Sequence, residues 1–329
     1  MPATVGRSNM RGAHVKTMRK LLQTCLASLP ITARWGAPGI DSAARSWLRA
    51  SGSPYVGELD AIAALLKESG VYMLNTSYEW GCTTLAAPSP DGRHAHLLRT
   101  LDWNLDGLGR HVEVVRQRGP AGEFYNVTWP GAVGVLTAMA PGRFAASINK
   151  GPSTDGWGGM GLPNFAALGG GLPPPMHVLR QVFETAADFD TARRELEKAP
   201  IAAETIFTLV GPAAGQTCVI ERKHRDFVTH LGPSTAANTW NYGATAKNWG
   251  ANEDEDTRHD STERRASIAS FAGASTAPFG WVKPPLRYDI TRLAVEANPA
   301  MGLLRVRGYE ASQDREDALP VTADFEWQG

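Results

Sequence analysis

The stretch "GCTTLAAPSPDGRHAHLLRTLDW", Gly81 to Trp103, narrows the folds open to this chain more than any other. It reads as a hairpin: two strand-like runs joined by the turn formers Pro90, Asp91 and Gly92. A cysteine placed directly after a glycine opens it, and Arg99 and Asp102 close it. The short-strand texture then continues through "HVEVVRQRG", "EFYNVTWP", "VGVLTAMA" and "RFAASINKG". Helices are predicted at "MHVLRQVFETA" and "DFDTARRELEKA", the second with Asp188 or Asp190 to cap it. Strands resume at "ETIFTLVG" and "QTCVIERKH". Helices are expected at "STERRASIASFAG" and "YDITRLAVEAN", and the polar "EASQDREDALP" reads as a tail. Strand runs bracketing paired helices predict two packed sheets with helices outside them.

The first 81 residues read differently. In "SAARSWLRA" and "GELDAIAALLKESG" the apolar residues recur at helical spacing, with Leu59, Ile62, Ala63 and Leu66 on one face and Gly70 as an end signal. Residues 151–175, "GPSTDGWGGMGLPNFAALGGGLPPP", are a Gly/Pro-rich loop with enough apolar residues to cover a site or to be an ordinary ordered excursion. The acidic run Asn252 to Asp256 reads as a solvated loop.

Composition excludes several function classes. Lys plus Arg equals Asp plus Glu, 33 each, so no basic field exists to recruit a nucleic acid or an anionic membrane. Three cysteines, Cys25, Cys82 and Cys218, make no disulfide framework and no zinc spacing. Reduced thiols point to the cytoplasm, ahead of a secreted or periplasmic location. The apolar run around Leu21–Leu29 is interrupted by Gln23 and Thr24 and lacks a small-residue cleavage site. Apolar stretches are too short for stable membrane insertion. "NTS" at Asn75 and "NVT" at Asn126 match glycosylation acceptors, which matter only in a secreted chain. A small-molecule substrate is the expectation, with no cofactor or metal and a homo-oligomer left open.

Cys82 has two readings. It is a buried, inert core thiol of the common kind, or it is a nucleophile. An internal nucleophile needs a base from elsewhere, such as His94 or His96. If the Gly81–Cys82 bond is cut, the freed α-amine, with a pKa of about 7.7–8.0, serves instead. A carboxylate must then hold the amine and a cation must steady the sulfur. Arg99 and Asp102 supply these types, but strand alternation puts them on opposite faces, so a bulge or strand end near Thr100–Leu101 is expected.

The segment from Gly57 to about Arg265 resembles the choloylglycine hydrolase/acid ceramidase group of N-terminal-nucleophile (Ntn) hydrolases. The matching features are the helical leader, "GCTTL", "LLRTLDW", "GVLTAMAPGRFAASIN", "AANTWN" and "DSTERR", in that order. "GCTT" is also similar to acyl-transferases acting on penicillin precursors. The resemblance implies a four-layer αββα sandwich, a self-cleaved leader (1–81) and a catalytic part (82–329). It implies Cys82 as nucleophile, Arg99 beside the thiolate, Asp102 on the α-amine, Asn238 as oxyanion donor and Arg264 as a buttress, with Arg265 an alternative register. Glycine at position 81 is expected to tolerate a strained scissile peptide.

The implied activity is hydrolysis of a linear, non-peptide N-acyl amide. N-acylethanolamides, ceramides, conjugated bile acids and penicillin V-type compounds are the implied substrates. Acyl transfer to an amine, or an uncleaved lipid- or partner-binding relative, are the rival readings. Trp103, Trp129, Trp157 and Phe165 are candidates to line an acyl pocket and equally suited to a core, with the core favoured for Trp129. Cys25 and Cys218 have no polar company and read as core.

Overall fold

A computed structural model describes residues 9–29, 31–76, 80–152, 171–241, 249, 255–274, 276–314 and 316–329. Trp157, Phe165, most of the Gly/Pro-rich loop and residues 252–254 of the acidic run lie outside them. Helices α1 (Asn9–Ser28), α2 (Ile31–Ala50), α3 (Val56–Leu66) and α4 (Val71–Leu74) come first. Within α3, Leu59 and Leu66 are buried and join Leu22, Trp47, Leu48 and Tyr72 in one apolar cluster. The helix stops at Leu66 because Lys67 turns left-handed (φ 56°), with its N–H on the Ala63 carbonyl. Gly70, expected to end this helix, instead precedes α4 with φ 110°.

Strands β1 (Gly81–Pro88) and β2 (Ala95–Asp102) form the expected hairpin. They belong to a seven-stranded antiparallel sheet with β10 (Ser234–Ala236), β11 (Thr291–Asn298), β12 (Leu303–Ala311), β13 (Ala318–Pro320) and β14 (Phe325–Gln328). Its order is β10-β1-β2-β11-β12-β13, with β14 also pairing β12. The second sheet is a meander of β3 (Glu113–Gly119), β4 (Gly122–Thr128), β5 (Thr137–Ala140), β6 (Phe144–Lys150), β7 (Thr205–Val210), β8 (Thr217–Lys223) and β9 (Asp226–Leu231). Helices α5 (Pro175–Thr185) and α6 (Phe189–Lys198) pack on the second sheet, and α7 (Glu255–Ala269) packs on β1 and β10 of the first. This is the αββα sandwich.

Amphipathic spacing explains the outer layers. In α5, Val178, Leu179, Val182 and Phe183 are buried, each worth about 1.5–3 kcal/mol of apolar burial. In α6, Asp188 caps the first turn by accepting the Thr191 N–H at 2.7 Å. The central strands behave differently. Every residue of β2 is buried, because the second sheet covers one face and α7 with its neighbours covers the other. Arg99, Thr100 and Asp102 are thus polar groups in a strand with no solvent face.

Two expectations fail here. "YDITRLAVEAN" contains β11, not a helix: Leu293, Ala294, Val295 and Ala297 are all buried between β2 and β12. An apolar run covered on both faces has no period-2 signature, and alanine, leucine and glutamate bias it toward helix. The supposed polar tail contributes to β12 and β13, which pair along Tyr309–Ala311. Asn75 and Asn126 are buried, and their side-chain amides bond to main-chain carbonyls, so neither acceptor sequence is presented for glycosylation.

Candidate active site

The hairpin register is unbroken from Gly81↔Asp102 to Pro88↔Ala95. Neither the bulge nor the strand end expected near Thr100–Leu101 occurs in β2, which runs on to Asp102, and Arg99 and Asp102 stay on opposite faces of the sheet. They converge because Cys82 offers a different group to each. Its sulfur, on the inner face, meets Arg99, and its main-chain nitrogen and carbonyl lie where the outer-face groups reach them.

On the inner face, Arg99 Nη2 donates to Cys82 Sγ at 2.9 Å and to the Ile148 carbonyl at 2.8 Å. Nη1 donates to the Leu136 carbonyl at 2.5 Å and to Thr137 Oγ1. Arg99 and Cys82 are both fully buried. β5 and β6 supply the guanidinium's neutral acceptors and fix its plane. Burial pushes the Cys82 thiol up, and the Arg99 charge and hydrogen bond oppose this.

At the main chain, the segment leaving β10 runs past Ala237 and delivers Asn238. Its Oδ1 accepts the Cys82 N–H at 3.0 Å, and its Nδ2 donates to the Lys150 carbonyl at 3.0 Å. Asn149 secures this segment by donating to the Ala237 carbonyl at 3.0 Å. From α7, Arg264 donates to the Cys82 carbonyl at 2.8 Å, to Thr83 Oγ1 at 2.5 Å and to Asp260 at 2.9 Å. Arg264 is buried, whereas Arg265 is partly exposed, which settles the helix register at the site.

Asp102 is fully buried opposite Gly81. Its Oδ1 accepts from Thr291 Oγ1 at 2.8 Å, while Oδ2 has no hydrogen-bond partner and lies 3.9 Å from Arg264 Nη1. Burial raises its pKa to about 6, against the lowering pull of Arg264 and Thr291. Gly81, expected to need unusual backbone angles, is not among the glycines with positive φ. A Cβ added there would sit 3.4 Å from Asp102 Cβ and 3.7 Å from Asn238 Oδ1, in contact but not in collision.

Other expectations resolve by position. His96 pairs with Ala87, five residues along the strand from Cys82, about 17 Å at the antiparallel rise. His94 sits at the hairpin turn on Asp91, so neither histidine partners the thiol. Cys218 is fully buried in β8; Cys25 is partly buried and lines an apolar cavity of about 100 Å³ with Leu22, Leu66, Leu108, Trp103 and Trp129. Trp103 packs between Trp80 and Trp129, at 5.5 and 6.2 Å between ring centroids. Trp129 also belongs to the core and donates to the Leu108 carbonyl at 2.8 Å. Thr291 escaped the sequence reading, because it lies inside the strand misread as helix; Asp260 opens the "DSTERR" match but carries no role of its own there.

No protein-family model matches the chain. It is 29% identical to an N-acylethanolamine-hydrolyzing acid amidase of Cavia porcellus over 175 residues, 51% of this chain and 48% of that protein. It is 28% identical to an acid ceramidase of Bos taurus over 193 residues, 52% of this chain and 48% of that protein. The chain thus spans about half the length of the curated relatives it matches. In fold it is similar to a Caenorhabditis elegans N-acylethanolamine-hydrolyzing acid amidase ortholog, with a TM-score of 0.53 at 15% identity, covering 73% of this chain and all of that one. This fold and these relatives match the choloylglycine hydrolase/acid ceramidase-like group of Ntn hydrolases.

Proposed function

We propose that this chain is a self-processing amidase that uses Cys82, freed as an amino-terminus, to hydrolyse a linear N-acyl amide. The observation that carries this reading is the double hold on one residue, Arg99 on the Cys82 sulfur and Asn238 on its nitrogen, with Asp102 across the hairpin from Gly81. The names of the relatives, an acid amidase for N-acylethanolamines and an acid ceramidase, support an acyl chain joined to an amine as substrate.

In maturation, Cys82 Sγ attacks the Gly81 carbonyl carbon. A C–S bond forms, the C–N bond to Cys82 breaks, and the departing nitrogen takes up the thiol proton. Water then hydrolyses the thioester, leaving a Gly81 carboxylate and a free thiol on fragments 1–81 and 82–329. In turnover, the Cys82 α-amine accepts the thiol proton and passes it to the leaving amine. Arg99 favours the thiolate by charge and hydrogen bond. Asp102 Oδ2, which accepts no hydrogen bond in the uncleaved chain, takes the α-ammonium. Asn238 Nδ2 has a second hydrogen beyond the one on Lys150, suited to the oxyanion in an interaction of about 2.7–4 kcal/mol. Arg264 fixes the carbonyl side of Cys82. The sulfur has no solvent exposure in the intact chain, so the unprocessed form is latent.

Intact-mass measurement of the wild type beside Cys82→Ala tests the reading. Two wild-type fragments joining at Gly81/Cys82, with the mutant whole, are expected. A Cys82→Ala protein with undiminished amidase activity overturns it.

A further inference from the structure

Strand β11 carries a bulge beside the site. Thr291 stands opposite Asp102 and Leu293 opposite Leu101, so Arg292 is the extra residue. In an unbroken register Arg292 would face Asp102. Its guanidinium instead donates to the Leu105 and Asp289 carbonyls, both at 2.8 Å, and to Asp106 at 3.1 Å. The group delivered to Asp102 is therefore a neutral hydroxyl.

That hydroxyl is oriented. Thr291 Oγ1 accepts the Tyr288 N–H at 3.2 Å, while the Thr291 N–H donates to the Tyr288 carbonyl at 3.0 Å. With one lone pair taken, the hydroxyl hydrogen points at Asp102 Oδ1, 2.8 Å away. Both residues are fully buried, so no solvent competes.

We propose that Thr291 is a positioning residue for Asp102, holding Oδ1 so that Oδ2 alone is presented to the Cys82 nitrogen as cleavage frees it. The β11 bulge exists at this point to substitute a hydroxyl for a guanidinium. This inference rests on reading Cys82 as an amino-terminal nucleophile. A guanidinium opposite Asp102 would grip both oxygens in a bidentate pair and leave none for an ammonium. A hydroxyl donates one hydrogen and occupies one oxygen. Arg264 lies 3.9 Å from the second oxygen without hydrogen-bonding to it, because its donors go to Cys82, Thr83, Asp260, Asn238 and Ser261.

The charged and titratable groups facing Asp102 are Arg264 and Asp260 from α7, Arg99 from its own strand, and Cys82 across the hairpin. Tyr288 and Arg292 flank it at the start of β11. Thr291 adds an uncharged donor to this set. Donation to the charged form favours ionisation, so removing the hydroxyl moves Asp102 ionisation to higher pH.

The test compares Thr291→Val, isosteric but without a donor, with Thr291→Ser, which keeps the hydroxyl. The rate of Gly81–Cys82 cleavage is followed against pH. Thr291→Val is expected to lose about 10- to 100-fold, the span of one hydrogen bond to a charged group, with its acid limb about one pH unit higher. Thr291→Ser stays within a few-fold of wild type with the limb unmoved. A Val variant matching wild type, or a Ser variant no better than Val, overturns the proposal.

A second readout needs no activity. In the uncleavable Cys82→Ala chain, carboxyl-13C aspartate NMR reads the Asp102 midpoint directly. Thr291→Val must raise it, and an unmoved midpoint overturns the proposal. A wild type that never cleaves sinks the functional reading, whereas the NMR midpoint still judges the Thr291 hold.

Discussion

Arg99 Nη2 lies 2.9 Å from Cys82 Sγ although the two residues are not cross-strand partners: Arg99 faces Thr84, and Cys82 faces Leu101. The guanidinium reaches the sulfur diagonally along the inner face, braced by carbonyls of the second sheet. Every partner of Arg99 named here is neutral, so the thiolate is the anion that this buried cation would stabilise. Arg99→Gln is predicted to slow processing at pH 7 by about 10- to 100-fold, the span of one lost hydrogen bond to a charged group. A time course on denaturing gels reads this, and a wild-type rate would refute the assignment.

Arg264 and its neighbour Arg265 give a paired prediction. Removing Arg264 strands the Cys82 carbonyl and leaves Asp102 without its nearby cation. Arg264→Ala is therefore predicted to lower stability by about 3–5 kcal/mol and to block cleavage. Arg265→Ala is predicted to process normally. Denaturant melts with mass spectra of both variants decide this, and equal behaviour would deny Arg264 its place.

Asp102 makes stability depend on pH. Folding raises its pKa from 3.8 to about 6 by burial, so the folded chain keeps a proton that the unfolded chain releases across that window. Its contribution to stability falls as pH rises through the window, by about 3 kcal/mol in all. In the Cys82→Ala background, the stability of Asp102→Asn relative to Asp102 is predicted to climb between about pH 4 and 6 and to level off above. Urea melts at stepped pH measure it; a flat difference contradicts the burial argument.

Thiol chemistry separates the unprocessed chain from a processed one. Cys82 and Cys218 are fully buried, and burial lifts Cys25 and Cys218 to about 12. The unprocessed chain is predicted to give no rapid reaction with a disulfide reagent at pH 8 and three thiols after denaturation. Processing should release one fast thiol, absent in Cys82→Ala. A fast thiol in intact chain would show the latent state to be open.

The glycine at the proposed cleavage point is testable on its own. Because Gly81 is not left-handed and an added Cβ meets its neighbours at 3.4 Å or more, Gly81→Ala is predicted to fold and still cleave, within about tenfold of wild type. A chain unable to fold would reinstate backbone strain as the reason for glycine.

Local pattern determined much of this protein. The hairpin from Cys82 to Asp102 has the turn formers and length of a strand pair, and α5 and α6 show their buried faces in their spacing. Both follow from short-range rules that act within one element. That Cys82, Arg99, Asp102, Asn238 and Arg264 gather in one place was legible through their order and company. The tertiary structure decided what sequence spacing cannot encode. It made β11 a strand, because burial on both faces outweighs the helical bias of "RLAVEA". It joined opposite faces of the hairpin through the side chain and main chain of Cys82, so no bulge was needed in β2. The bulge lies in β11 instead, where a one-residue slip places Thr291 rather than Arg292 against Asp102. Pairing register is a property of two strands 189 positions apart at that contact, and neither strand carries it alone.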